Sequence, residues 1–194
     1  MGDFSFAFSQ DRNQLGGFYV KDGNPNAATF VGTAISKWNT ASATTLYRTF
    51  RGASVMNVDL SGWKVGKVTS LDNTFASASK FVGTGLDSWD TTAVTILVNT
   101  FYSAGEMNAD LSGWKVGKVT SLLRTFYFAS KFTGTGLSSW DTTSATTLQD
   151  TFRGASVMNA NLTGWRVGKV TAMQETFKEA SKFRGTGGTL EWNE

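Results

Sequence analysis

The sequence predicts an α/β solenoid of about six coils, each about 25–26 residues long, with one parallel sheet and short helices opposite. Three observations predict it. Trp38, Trp63, Trp89, Trp114, Trp140, Trp165 and Trp192 recur in the numbering at steps of 25, 26, 25, 26, 25 and then 27. A period in this range marks repeats that each form one turn of a coil and bury their apolar faces only against their neighbours. A Phe follows each of the first six Trp at a constant offset: Phe50, Phe75, Phe101, Phe126, Phe152 and Phe177. Around each Phe the same apolar pattern returns, with Leu or Met four residues before it and Ala three after it.

The elements follow in chain order. Residues 1–29 fall outside the period. Phe4, Phe6 and Phe8 alternate with smaller or polar residues, and Phe18-Tyr19-Val20 could pair with them, so this stretch is predicted to be a β-hairpin cap over the open end of the first coil. Residues 30–188 carry the repeat. In alternate coils the Trp is followed by x-Val, as in Trp63-Lys64-Val65, a period-2 spacing that predicts a short strand. Val82-Gly83-Thr84-Gly85 reads as a turn. Apolar residues at −4, 0, +3 and +6 from the Phe share one helical face, and the invariant Thr at −6 sits where an N-cap would. A short helix is therefore predicted from Thr69 to about Ser79 and at the equivalent place in every coil. Residues 189–194, with Leu190-Glu191-Trp192, are predicted to be a C-terminal capping strand.

The alternation of 25 and 26 conceals a period of 51. One coil type reads Trp63-Lys64-Val65-Gly66-Lys67-Val68 and returns at Trp114 and, with Arg166, at Trp165; the other reads Trp89-Asp90-Thr91-Thr92 and returns at Trp140. The residue after Trp runs Asn39, Lys64, Asp90, Lys115, Asp141, Arg166. If strands stack about 4.8 Å apart in register, this column alternates in sign and each cross-strand pair should add about 0.2–1 kcal/mol.

Composition narrows the chemistry. The 194-residue chain contains no His and no Cys, which excludes disulfides, thiolate and imidazole metal sites, and triads built on an imidazole base. Its formal charge of +3 has no clustered run of the kind that marks a nucleic-acid binder. No stretch of 18 apolar residues predicts membrane insertion, and the first eight residues lack the basic and apolar regions of a secretory signal. The carboxylates Asp59, Asp72, Asp110 and Asp150 lie in separate coils and nominate neither a Ca²⁺ loop nor a catalytic pair. No cofactor is expected.

The stretch Leu60-Ser61-Gly62-Trp63-Lys64-Val65-Gly66-Lys67-Val68-Thr69-Ser70-Leu71, followed by Thr74-Phe75-x-x-Ala78-x-x-Phe81, resembles the BspA-like surface-protein repeat. The resemblance spans about residues 30–188. It implies a right-handed, leucine-rich-repeat-like solenoid used for adhesion or structural display, with no catalytic residues to carry over. The expected function is accordingly non-enzymatic: a structural or interaction protein on a cell surface, filament or virus particle, outside the cell, contacting other protein subunits. A carbohydrate-binding adhesin is the alternative, and an ice-binding protein, suggested by the Thr column from Thr49 to Thr176, a remote one. The Trp and Phe columns are read as a buried ladder. Tyr47, Tyr102, Tyr127 and Phe128, aromatics that the repeat does not require, are the candidate partner-binding residues.

Overall fold

The computed structural model describes residues 3–10 and 26–185. The coils start at the Trp residues: coil 1 covers residues 38–62, and coils 2 to 6 begin at Trp63, Trp89, Trp114, Trp140 and Trp165. Within coil 1, Leu46, Phe50, Ala53 and Met56 are fully buried. Thr49 N–H donates to the Leu46 carbonyl and Ala53 N–H to that of Phe50, each at 3.0 Å. The third residues of these two β-turns, Arg48 and Gly52, have φ of 54° and 77°, the sign a type II turn requires there. The intervening N–H groups leave the coil. Leu46, Arg48, Phe50 and Gly52 donate to the carbonyls of Ser70, Asp72, Thr74 and Ala76 in coil 2, at 2.8–3.1 Å.

Coils 2 to 5 repeat this path, and coil 6 repeats its two turns. Positive φ recurs two residues before and two after each core Phe, at Asn73 and Ser77, Asn99 and Ser103, Arg124 and Phe128, Asp150 and Gly154, and Glu175 and Glu179. That geometry overturns the predicted α/β architecture. A helix from Thr69 to Ser79 would close N–H to carbonyl bonds four residues back along its own segment, and left-handed residues at Asn73 and Ser77 prevent it. The backbone groups are satisfied by the neighbouring coil instead. Nor is Thr69 an N-cap, because its hydroxyl donates to the Thr44 carbonyl of the preceding coil at 3.3 Å.

Among the described residues the leucine-rich-repeat-like parallel sheet is absent as well, and Trp63-Lys64-Val65 is not a strand. Parallel pairing is one residue wide in each coil, joining Asp3, Thr45, Ser70, Ile96, Ser121, Thr147 and Ala172 as a file of isolated bridges. The helices among the described residues are three-residue 3₁₀ turns at Ile35–Lys37, Leu86–Ser88 and Leu137–Ser139, one in every second coil. Gly85 and Gly136 precede two of them with φ of 88° and 91°. At each, a Cβ would fall 2.1 Å from a backbone nitrogen of the coil beneath, Ser61 or Ser112, so only glycine fits.

Two aromatic files run through the interior. Phe8, Phe50, Phe75, Phe101, Phe126, Phe152 and Phe177 stack at 5.5–5.6 Å between centroids. Trp63, Trp89, Trp114, Trp140 and Trp165 stack at 6.1–6.5 Å with nearly parallel rings. Each of these indoles needs a partner for its N–H in the core. It donates to the carbonyl three residues before the Trp of the preceding coil, from Trp63 to Ile35 at 2.9 Å through to Trp165 to Leu137 at 2.8 Å. Trp38 heads the file and is 41% exposed, and Phe177 is partly buried.

Residues 3–10 lie in register on coil 1. Phe6, Phe8 and Gln10 N–H donate to the carbonyls of Tyr47, Thr49 and Arg51, and Phe4 occupies the place of Leu46. Phe8 stacks on Phe30 at 4.2 Å, as Phe75 stacks on Phe81 and Phe126 on Phe132. Residues 3–10 and 26–37 therefore compose one partial coil. The predicted hairpin partner Phe18–Val20 and the capping residues around Trp192 fall outside the described residues.

The 51-residue period has a different physical origin from the predicted charge ladder. Among the described residues no ion pair joins members of the column Lys64, Asp90, Lys115, Asp141, Arg166. The side chains of Thr40, Thr91 and Thr142, all buried, make the connection. The Thr91 hydroxyl accepts the Lys115 N–H at 2.7 Å and donates to the Lys115 carbonyl at 3.2 Å. Thr40 grips Lys64 and Thr142 grips Arg166 identically. The equivalent residues of the alternate coils are Val65, Val116 and Val167, which have no hydroxyl. Coils are thus clamped in pairs by a Thr that substitutes for a strand.

Candidate interaction surface

The turns around each core Phe put four side-chain columns on the outside of the stack, at −3, −2, +1 and +2. Three of the four candidate aromatics meet there. Tyr102 and Tyr127, both at +1 in adjacent coils, stack at 4.7 Å with rings 3° from parallel. Phe128, next along the chain, meets Tyr127 edge-on at 4.8 Å and is 40% exposed. Its ring rests over Gly154, where a Cβ would lie 2.6 Å from it. The fourth candidate is elsewhere: Tyr47, at −3 in coil 1, packs edge-on against Phe6 at 5.3 Å with the Arg48 guanidinium 5.0 Å from its ring centre.

The charged frame of the aromatic cluster was not foreseen from the sequence. Arg153 takes the +1 place after Tyr102 and Tyr127, and its guanidinium lies 5.6 Å from the Tyr127 centroid, with Arg124 at 5.8 Å. Asp150, 3% exposed, holds Arg124 Nε at 3.1 Å and Arg153 at 3.6 Å. Glu175 also pairs with Arg153, and Lys178 with Glu175 at 2.7 Å. The Lys178 ammonium first, and Arg153 after it, hold the Glu175 carboxyl below its ordinary value. Arg153 and Lys178 share the +1 column of Tyr102 and Tyr127, and that shared position was the signal that could have found them; Arg124, Asp150 and Glu175 stand in the −2 column.

The chemistry of the remaining candidates is quieter. Burial pushes the Asp72 carboxyl up, against the Asn73 amide and the Arg48 charge that favour its ionised form. Asp59 and Asp110 accept the backbone N–H of Ser61 and Ser112 in local turns, and neither meets Asp72 or Asp150. The Thr column from Thr49 to Thr176 is buried. Each of its hydroxyls lies within 2.6–3.1 Å of two carbonyls, one in its own coil and one in the coil beneath. A shallow groove of about 870 Å³ lies on another edge, lined by Val82, Asn108 and Thr133 and crossed by the Glu106–Lys131 ion pair at 2.9 Å. Among the described residues no group of three His, Cys, Asp or Glu is placed to hold a metal ion. No described helix is long and apolar enough to cross a membrane.

A stack of repeats whose outward columns are free to vary defines a repeat protein. The chain belongs to the family described as Mycoplasma protein of unknown function, DUF285, whose model matches it twice in overlapping stretches, residues 24–106 and 69–192. No curated protein matches the chain.

Proposed function

We propose that this protein is a non-catalytic interaction module that docks another protein subunit through Tyr102, Tyr127 and Phe128. The observation that carries this reading is the half-exposed aromatic cluster on a framework that does not need it. Aromatics and Arg are enriched at interface centres, and rigid aromatics bury large areas at low entropic cost. Here Asp150 and Glu175 hold Arg153 against Tyr127, so the cluster is ordered before any partner arrives. The absence of His and Cys from the sequence, and the engagement of Asp150, Glu175 and Glu106 by Arg or Lys and of Asp59, Asp90, Asp110 and Asp141 by local turns, support a role without catalysis. The BspA-like resemblance of the repeat supports display on a cell surface, filament or particle. The alternative is a carbohydrate-binding adhesin, favoured by one observation, the exposed ring of Phe128 beside Tyr127, which could receive a sugar face.

Sedimentation velocity and electron microscopy of the wild type and the Tyr127→Ala/Phe128→Ser variant test the reading. The wild type is expected to self-associate or to co-sediment with the native particle, and the variant to lose this with its melting curve unchanged. A wild type that stays monomeric, leaves the particle unbound and selects one neutral glycan class on an array would replace the first reading with the adhesin.

A further inference from the structure

We infer that the edge formed by the turns after the Trp residues is a docking surface for a linear acidic polysaccharide, separate from the aromatic cluster and independent of its role. Lys64 and Lys67, Lys115 and Lys118, and Arg166 and Lys169 stand there in three pairs, all exposed. Each pair recurs after two coils, about 10 Å at two strand spacings. The intervening coils put Ser42, Ala93 and Ser144 opposite Lys67, Lys118 and Lys169, so the second column contains cations and no acid. The edge therefore has six cations against two carboxylates, an excess of four, where the whole chain has an excess of three.

Those two carboxylates are turned to local use. Asp90 accepts the Thr92 N–H at 3.1 Å, and Asp141 accepts the Thr143 N–H at 3.1 Å and its hydroxyl. Their second oxygens lie over Gly66 and Gly117, 3.1 and 3.2 Å from where a Cβ would stand. None of the six cations enters an ion pair among the described residues. Arg166 acts on Asp141 only as the smallest of the influences on that carboxyl. The Thr clamps fix the backbone of Lys64, Lys115 and Arg166, so the rungs are set at a regular interval.

A straight polymer bearing carboxylate or sulfate groups at a regular repeat complements such a row. Between the rungs Thr92 and Thr143 are exposed, their hydroxyls engaged by Asp90 and Asp141, so the Lys and Arg side chains carry the charge that the edge presents. The edge lacks the exposed aromatic platform that single-stranded nucleic acid stacks upon. Five of the six cations are Lys, a compact point charge, rather than the Arg fork that grips phosphate in two places.

Isothermal titration of the protein with dextran sulfate, alginate and neutral dextran, repeated over a range of NaCl, tests the assignment. Binding to both acidic polymers that weakens steeply with salt, and none to dextran, is expected. Lys67→Gln/Lys118→Gln/Lys169→Gln should lose about tenfold or more in affinity, and the corresponding triple Arg variant should retain it. The matched charge loss Lys80→Gln/Lys131→Gln/Lys182→Gln, away from this edge, should change affinity by less than about twofold. Absence of binding to both acidic polymers overturns the proposal. So do equal losses in the two Gln triples, or equally tight binding of single-stranded DNA or anionic phospholipid vesicles at the same salt, since either result reduces the edge to net charge alone. Trp fluorescence verifies that each variant is folded.

Discussion

Thr91 illustrates how much structure one hydroxyl can hold. It is buried, and it supplies both an acceptor and a donor to the backbone of Lys115 in the next coil. A buried backbone group left without its partner costs about 1–3 kcal/mol. Thr91→Val should therefore lower the melting temperature by several degrees, given about 2–4 °C per kcal/mol for a chain of this size. Thr91→Ser, which keeps the hydroxyl, should recover most of the loss. Equal melts for Val and Ser would remove the clamp as the cause of the 51-residue period. The residue scale also explains why the sequence misled about charge. Lys64, Asp90 and Lys115 alternate in the chain, yet Asp90 turns back onto Thr92, because a hydrogen bond two residues away needs no long side chain to be ordered.

The element of this fold is the turn segment around each core Phe, stabilised by what stacks on it and through it. Trp89 shows the scale of that packing. Its ring lies between Trp63 and Trp114 at 6.5 and 6.3 Å, and its indole N–H donates to Leu60 at 3.2 Å. Trp89→Ala is expected to cost about 3–5 kcal/mol, read as a large fall in the midpoint of thermal or urea unfolding. Trp38→Ala should cost markedly less, because Trp38 is already 41% exposed. Comparable losses at the two positions would mean that the Trp file is not what holds the coils together.

The molecule as a whole is a chain of neighbour contacts, so small effects repeated in each coil add up. Acid sensitivity is one. Asp59, Asp90 and Asp141 are held low chiefly by hydrogen bonds from Ser61, Thr92 and Thr143, Glu106 by Lys131, and Glu175 by Lys178. A carboxyl whose folded value lies below its unfolded one adds stability above the unfolded value, and loses it as pH falls through the folded one. Asp72, raised by burial, acts in the opposite sense and favours the acid side. Five lowered groups against one raised predict a melting temperature that is steady from neutral pH down to about 5 and falls below about pH 4. Thermal melts at pH 7, 5, 4, 3 and 2 measure it, and a rise on acidification would reverse the assigned signs.

The sequence by itself determined the period and the columns of Trp, Phe, Leu and Ala that line the interior. Burial recurs at fixed intervals, and a side chain's hydrophobicity reports burial directly. It did not determine where the backbone hydrogen bonds go. Apolar residues at −4, 0, +3 and +6 suit a helical face, and they suit equally a run of turns whose alternate N–H groups reach the next coil. Only the tertiary structure decided between them, by placing left-handed residues two positions either side of each Phe. Gly52, Asn73, Asn99 and Gly154 hinted at this conformation, whereas Arg48, Arg124, Phe128 and Glu175 adopt it without advertising it. The candidate site divides in the same way. Tyr102, Tyr127 and Phe128 were legible as departures from the repeat. Their grouping, the separation of Tyr47 and the Arg153–Asp150 frame depend on neighbours a full repeat away in sequence and one coil away in space.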